Sequence, residues 1–274
     1  MSEPFGPLVT VDWLGSHLGE PDLVVVDCRF TLTDPAAGER GWLAGHLPGA
    51  AFLDLGRDLS GELRDGGARG GRHPLPDARA FEASARRAGI DEGSRVVAYD
   101  EAGEGGGARL WWLLRHFGHD AVAVLDGGLT AWRARDGALR AGSERPGAGS
   151  FAARSRDGDT VTAEELQAEA PRLLDARARE RFRGDAEPLD PLAGHIPGAH
   201  NVPFAELAPD GRFPAPAELR ERLGETPFVA YCGSGVTAST LLLAAAVTGI
   251  EARLYPGSWS EWSRRGLPVE RETR

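Results

Sequence analysis

Short apolar runs recur along the chain with helix-length intervals between them. Val24-Val25-Val26, Val96-Val97-Ala98-Tyr99, Leu173-Leu174 and Phe228-Val229-Ala230-Tyr231 are short apolar, largely β-branched runs that read as strands. Helical patterns fall at Arg109 to Phe117, Ala163 to Ala170 and Thr237 to Val247. Thr162 and Glu165 have the spacing of a capping box and open the second of these helices. Alternating short strands and helices predict an α/β fold with a mainly parallel sheet and crossover helices.

The pattern occurs twice. Val24-Val25-Val26-Asp27-Cys28-Arg29 corresponds to Leu173-Leu174-Asp175-Ala176-Arg177, and Gly45-His46-Leu47-Pro48-Gly49-Ala50 to Gly194-His195-Ile196-Pro197-Gly198-Ala199. Val96-Val97-Ala98-Tyr99-Asp100 then corresponds to Phe228-Val229-Ala230-Tyr231-Cys232, and Leu125-Asp126-Gly127-Gly128 with Trp132 to Tyr255-Pro256-Gly257-Ser258 with Trp262. The offset shrinks between the first pair of matches and the last, so the second copy is shorter in its middle. Gly137 to Asp159 is rich in Gly, Arg, Ser and Asp, which predicts domains at 1–145 and 160–274 joined by a linker at 146–159.

Composition narrows the function. The net charge is −10, and no basic tract with interleaved aromatics occurs, which disfavours nucleic acid as a partner. All 31 basic residues are Arg, so Schiff-base chemistry and a lysine general base are excluded. Two cysteines, Cys28 and Cys232, make no disulfide framework and no metal-type C-x-x-C spacing, and fit a reducing compartment. Met1-Ser2-Glu3-Pro4 lacks the character of a targeting segment and no apolar run approaches membrane-spanning length, so the expectation is a soluble cytoplasmic protein without a membrane partner.

The chemistry concentrates at Cys232-Gly233-Ser234-Gly235-Val236-Thr237-Ala238, between a strand end and a helix start. Gly233 and Gly235 allow the backbone to curl so that N–H groups converge, and the helix N-terminus adds partial positive charge, which together favour thiolate over thiol. Cys28, which extends an apolar strand without a glycine loop, reads as an inert core residue. The first copy carries Asp100 where the second has Cys232, so one copy is catalytic and the other a scaffold, unless Asp100 simply caps its helix. His46 and His195, in Gly-His-x-Pro-Gly-Ala turns, read as loop-fixing residues.

With Asp27-Cys28-Arg29, both Gly-His-x-Pro-Gly-Ala turns, Gly71-Arg72-His73-Pro74-Leu75-Pro76, Asp126-Gly127-Gly128 and the Cys232 loop in this order, the chain resembles the tandem-domain rhodaneses, closest to the 3-mercaptopyruvate sulfurtransferase type. The resemblance implies two similar rhodanese-like α/β domains with the active site between them. It implies sulfur carried as a persulfide on Cys232, with no metal or organic cofactor. Thiosulfate-type enzymes commonly place basic residues directly after the cysteine; here Gly233, Ser234, Gly235, Val236 and Thr237 offer only amides and hydroxyls, which suits a monoanionic carboxylate donor better than a dianion.

Arg181 matches the family arginine that holds the donor carboxylate. The family's second such arginine is replaced by Leu189, in Glu187-Pro188-Leu189-Asp190. Ser234 and His73 match two members of a serine–histidine–aspartate relay, but Gly56 stands at the acid position, with Asp54 and Asp58 as nearby carboxylates. The expected acceptors are cyanide, a small thiol or thioredoxin. A thiosulfate-preferring enzyme and a non-catalytic persulfide or redox-sensing module are the alternatives. A Cys-x5-Arg phosphatase is disfavoured because Ala238 occupies the arginine position.

Overall fold

The computed structural model describes residues 5–144 and 146–272; Met1-Ser2-Glu3-Pro4, on which the expectation about a targeting segment rests, lies outside the described residues. The chain forms two compact units. One comprises the chain up to Ser60, Pro76–Arg156 and Asp210–Phe213; the other comprises Gly61–Leu75, Asp157–Pro209 and Pro214–Arg274.

In chain order the first half contains β1 (Leu8–Val9), α1 (Val11–His17), β2 (Leu23–Asp27), α2 (Ala37–Ala44), β3 (Ala51–Phe52), α3 (Ala78–Arg87), β4 (Arg95–Tyr99), α4 (Gly106–His116), β5 (Val122–Leu125) and α5 (Gly128–Arg133). The second half contains α6 (Ala163–Glu169), β6 (Leu173–Asp175), α7 (Arg179–Arg183), β7 (His200–Asn201), α8 (Phe204–Leu207), α9 (Pro216–Leu223), β8 (Phe228–Tyr231), α10 (Ala238–Thr248), β9 (Ala252–Leu254) and α11 (Ser258–Arg264). The first sheet runs β1-β5-β4-β2-β3 and the second β7-β6-β8-β9, with every paired strand parallel.

The apolar runs are strands because both faces are covered: Val96 to Tyr99 and Phe228 to Tyr231 are buried throughout. Thr162 and Glu165 form the expected reciprocal cap of α6. Helix α10 is buried nearly all round, which matches its sequence, apolar on every side.

The repeat extends to individual hydrogen bonds. Arg29 and Arg177 each fold back on the aspartate two residues earlier and donate Nη2 to Gly45 O and Gly194 O, both at 2.8 Å. The Tyr99 and Tyr231 hydroxyls each accept from the amide after the matched histidine, both at 3.2 Å. The β1–β5 pairing is matched in the second unit by a parallel bridge between Thr160 and Leu254.

The Gly- and Ser-rich stretch between the copies is anchored over much of its length. Phe151 is buried against Phe81, and Arg154 N donates to Phe117 O at 2.9 Å. One apolar side chain and a few backbone bonds anchor what its composition presents as a free linker.

Candidate active site

Strand β8 ends at Tyr231, and the next residue is the thiol. Cys232 is 1% exposed, its N–H donates to Ser258 Oγ at 3.1 Å, and its carbonyl accepts from Trp259 N at 2.9 Å. Ser260 N binds Gly233 O at 2.9 Å, so the head of α11 braces the loop from one side. Gly235 has φ +80°, and a Cβ there would meet Pro256 O at 2.6 Å, so the residue must be glycine on both counts. This turn aims the Gly235 N–H at Cys232 Sγ, 3.1 Å away. Val236 is buried, and Thr237 heads α10 without a side-chain cap, which leaves the helix N-terminus to backbone amides.

His73 Nδ1 and Ser234 Oγ share a hydrogen bond of 2.8 Å. The segment that carries His73 packs within the second unit, because Gly71 (φ +77°) lies against Gly257 O and Ser260 Oγ where no side chain would fit. The two carboxylates near the missing acid position are engaged inside the first unit. Asp58 accepts from Asp54 N at 2.9 Å, Arg57 Nη2 at 3.0 Å, Ser84 Oγ and Arg87, and Asp54 accepts from Arg57 N.

Arg181 lies beside the thiol loop: the point a Cβ of Gly233 would occupy is 3.3 and 3.5 Å from its Nη1 and Nη2. Glu187 holds it, accepting Arg181 Nη2 at 2.7 Å and Nε at 3.2 Å, and Glu187 in turn accepts Arg177 Nη1 at 3.2 Å. The same point beside Gly233 is 3.1 Å from Nη2 of Arg72. Arg72 pairs with Asp190, which also accepts Arg264 Nη1 at 2.6 Å. The sequence motifs point to no role for Arg72, Asp190 or Arg264. The available signal is the position of Arg72 beside His73, but its reach to Gly233 depends on chain segments far apart in sequence.

Leu189, at the second-arginine position, is 42% exposed, and its N–H donates to Glu187 Oε1. Cys28 is buried, and desolvation together with Asp27 raises its thiol well above the ordinary range. His46 and His195 are buried, bond Trp42 O and Phe182 O through Nδ1, and stack on those same two rings.

The matching loop of the first copy holds an anion of its own. The Asp100 carboxylate accepts N–H groups from Gly103 (2.7 Å), Gly105 (3.0 Å), Gly107 (3.1 Å) and Glu104 (3.3 Å). Asp100 therefore does cap the start of α4, and its carboxylate fills the amide cradle of this loop. Burial raises its carboxyl, against the pull of those amides.

Beside it, Glu104 Oε2 is buried without a hydrogen-bond partner. Burial, helped by the Asp100 charge, pushes the Glu104 carboxyl up to about 7 from 4.5. Between those values the unfolded chain ionises Glu104 while the folded chain retains the proton, so this group costs stability as pH rises through the window, and the full cost is present above it. Glu104→Gln is expected to raise the melting temperature above pH 7 and to leave it unchanged below about pH 4.5. Equal shifts at both ends in a calorimetric pH series would count against this account.

Two parallel α/β units, each with a strand-loop-helix cradle at the same place and one holding a cysteine, define the class. Residues 10–135 and 160–265 match the Rhodanese-like domain, and the chain belongs to the rhodanese family. It is 45% identical over 269 residues to the probable 3-mercaptopyruvate sulfurtransferase of Pseudomonas aeruginosa, covering 93% of this chain and 94% of that protein. A putative thiosulfate sulfurtransferase of Mycobacterium tuberculosis is 44% identical, covering 93% of each chain. The crystal structure of the Escherichia coli 3-mercaptopyruvate enzyme superimposes with a TM-score of 0.80 at 32% identity, covering 93% of this chain and all of that one.

Proposed function

We propose that this chain is a sulfurtransferase that moves a sulfane sulfur from 3-mercaptopyruvate to a thiol or cyanide through a persulfide on Cys232. The observation that carries the reading is the guanidinium of Arg181, held by Glu187 at the residue next to the thiol. A carboxylate bound there in bidentate fashion presents a sulfur two carbons away to Cys232.

In the first half-reaction the Cys232 thiolate attacks the donor sulfur. The new S–S bond forms as the C–S bond breaks, and its electron pair passes into the enolate of pyruvate. The Gly235 N–H steadies charge on the cysteine sulfur. The enolate carbon then takes a proton from the Ser234 hydroxyl, which His73 replaces through their hydrogen bond. In the second half-reaction cyanide or a thiolate attacks the outer sulfur, leaves as thiocyanate or a persulfide, and restores the Cys232 thiolate. Thioredoxin is a macromolecular acceptor of the same chemistry.

Sulfur transfer belongs to the copy at 160–274, with His73 supplied from the copy at 1–145, to which 146–159 joins it. Asp100 in that copy offers no nucleophilic sulfur. The relative named for thiosulfate favours a second reading, in which that dianion is the preferred donor.

Supplying either donor with cyanide and measuring thiocyanate decides between them. The expected result is a higher kcat/KM with 3-mercaptopyruvate. A strong preference for thiosulfate reverses the donor assignment, and turnover of neither leaves the persulfide-module reading. Arg181→Leu is expected to raise the 3-mercaptopyruvate KM of the folded protein about tenfold or more, since a charge-assisted pair with the donor is lost, whereas the stability cost is limited because Arg177 still pairs with Glu187. An unchanged KM would clear Arg181 of the role.

A further inference from the structure

Leu189 leaves the donor site one arginine short by sequence, yet a second guanidinium stands over Gly233. Arg72 Nη2 and Arg181 Nη1 are 3.1 and 3.3 Å from the same point beside Cys232. Arg72 comes from a segment remote in sequence from Leu189. Three contacts deliver it. Gly71 permits close approach to Gly257 and Ser260, Arg72 N donates to Ser260 Oγ at 3.0 Å, and Asp190 receives the guanidinium. Asp190 also ties in Arg264 Nη1 at 2.6 Å and Arg181 Nη2 at 3.5 Å.

Charge within this network is not balanced. The guanidiniums of Arg72, Arg177, Arg181 and Arg264 meet the carboxylates of Asp175, Glu187 and Asp190, which leaves one positive charge for an incoming anion. The Arg72 and Arg181 side chains are 21% and 18% exposed, so both remain within reach of a ligand, whereas Asp190 and Glu187 are closed off at 0% and 2%. The buried carboxylates hold the two cations in place.

We infer that Arg72 is the second carboxylate-binding guanidinium of the donor site, acting beside Arg181 at Gly233 and replacing the cation that Leu189 lacks. The inference rests on the mercapto-acid reading of the site. Asp190 is a positioning residue for both arginines, and Arg264 acts through it.

The test compares alkylation of Cys232 by iodoacetate and by iodoacetamide in the full chain, located by mass spectrometry. The two reagents differ chiefly in the carboxylate. Wild type should favour iodoacetate relative to free cysteine. In Arg72→Leu the iodoacetate rate should fall about tenfold or more while the iodoacetamide rate stays within about twofold, because one charge-assisted contact is lost. Arg72→Gln, which keeps a hydrogen-bond donor for Asp190 but no charge, should behave alike and guards against misfolding of the leucine variant.

With 3-mercaptopyruvate, KM should rise about tenfold with kcat little changed, and Leu189→Arg in the Arg72→Leu background should recover part of the loss. An iodoacetate preference that is absent in wild type, or unchanged in both variants, overturns the role of Arg72. Loss of both alkylation rates together in both variants also overturns it, since it marks a purely structural arginine. If wild type does not turn over 3-mercaptopyruvate, the donor reading fails on its own, and the alkylation ratio still decides whether Arg72 binds carboxylates.

Discussion

Cys232→Ser is expected to remove sulfur transfer almost completely, lowering thiocyanate formation by about 10⁴-fold or more while the fold persists. A serine hydroxyl fits the space, since it replaces one buried sulfur and still accepts from the Gly235 N–H. It cannot carry a sulfane sulfur. Incubation of wild type with donor alone should add one sulfur atom to the peptide containing Cys232, and the variant should gain none. Cys28→Ala should retain activity, because its thiol is buried and held protonated. Persulfide on Cys28, or substantial turnover by the serine variant, would contradict the assignment.

Asp175→Ala should cost about 3 kcal/mol or more of folding stability, read as a lowered denaturation midpoint at unchanged slope. The carboxylate is fully buried and takes Arg177 N at 2.9 Å, Arg177 Nε at 3.0 Å and Arg177 Nη2 at 2.6 Å. Its removal strands a guanidinium that is 1% exposed and stacked over Trp259 at 4.5 Å. Burial works against the charge on Arg177, and Asp175 reverses that, leaving it more firmly protonated than usual. The ion pair of Arg179 and Glu206 makes a control of similar geometry with both side chains about half exposed; Glu206→Ala should move stability by no more than about 1 kcal/mol. Similar costs for the two variants would show that Arg177 finds water or another partner when Asp175 is gone.

The stability defect should also reach the active site. Arg177 donates to the same Glu187 that holds Arg181, so the core pair and the arginine proposed to bind the donor share one carboxylate. A raised KM in the folded fraction of Asp175→Ala is the expected sign of that link.

Much of this arrangement is written locally. The continuous apolar runs of β4 and β8, the Thr162–Glu165 cap and the glycine-flanked thiol each follow from residues within a few positions of one another. The duplication is legible for the same reason, and the matched Asp-x-Arg and Gly-His-x-Pro-Gly-Ala segments make matched hydrogen bonds. Helix ends shifted slightly: α4 starts at Gly106 rather than Arg109, because the Asp100 carboxylate caps amides further upstream.

By itself the sequence determined two α/β copies, a thiol in a glycine loop and the glycine that must turn beneath it, because propensity, φ restriction and motif spacing act over short stretches of chain; the match of Arg181 rests on the family resemblance. Only the tertiary structure decided which charges surround that thiol. Residues 61–75 pack within the second unit, so Arg72 reaches Gly233, His73 reaches Ser234, and Asp190 gathers Arg72, Arg181 and Arg264. Those pairings span more than a hundred residues in several cases, and no local preference encodes them. They exist because burying Asp190 and Glu187 requires cations, and the fold brings arginines from separate segments to meet that need.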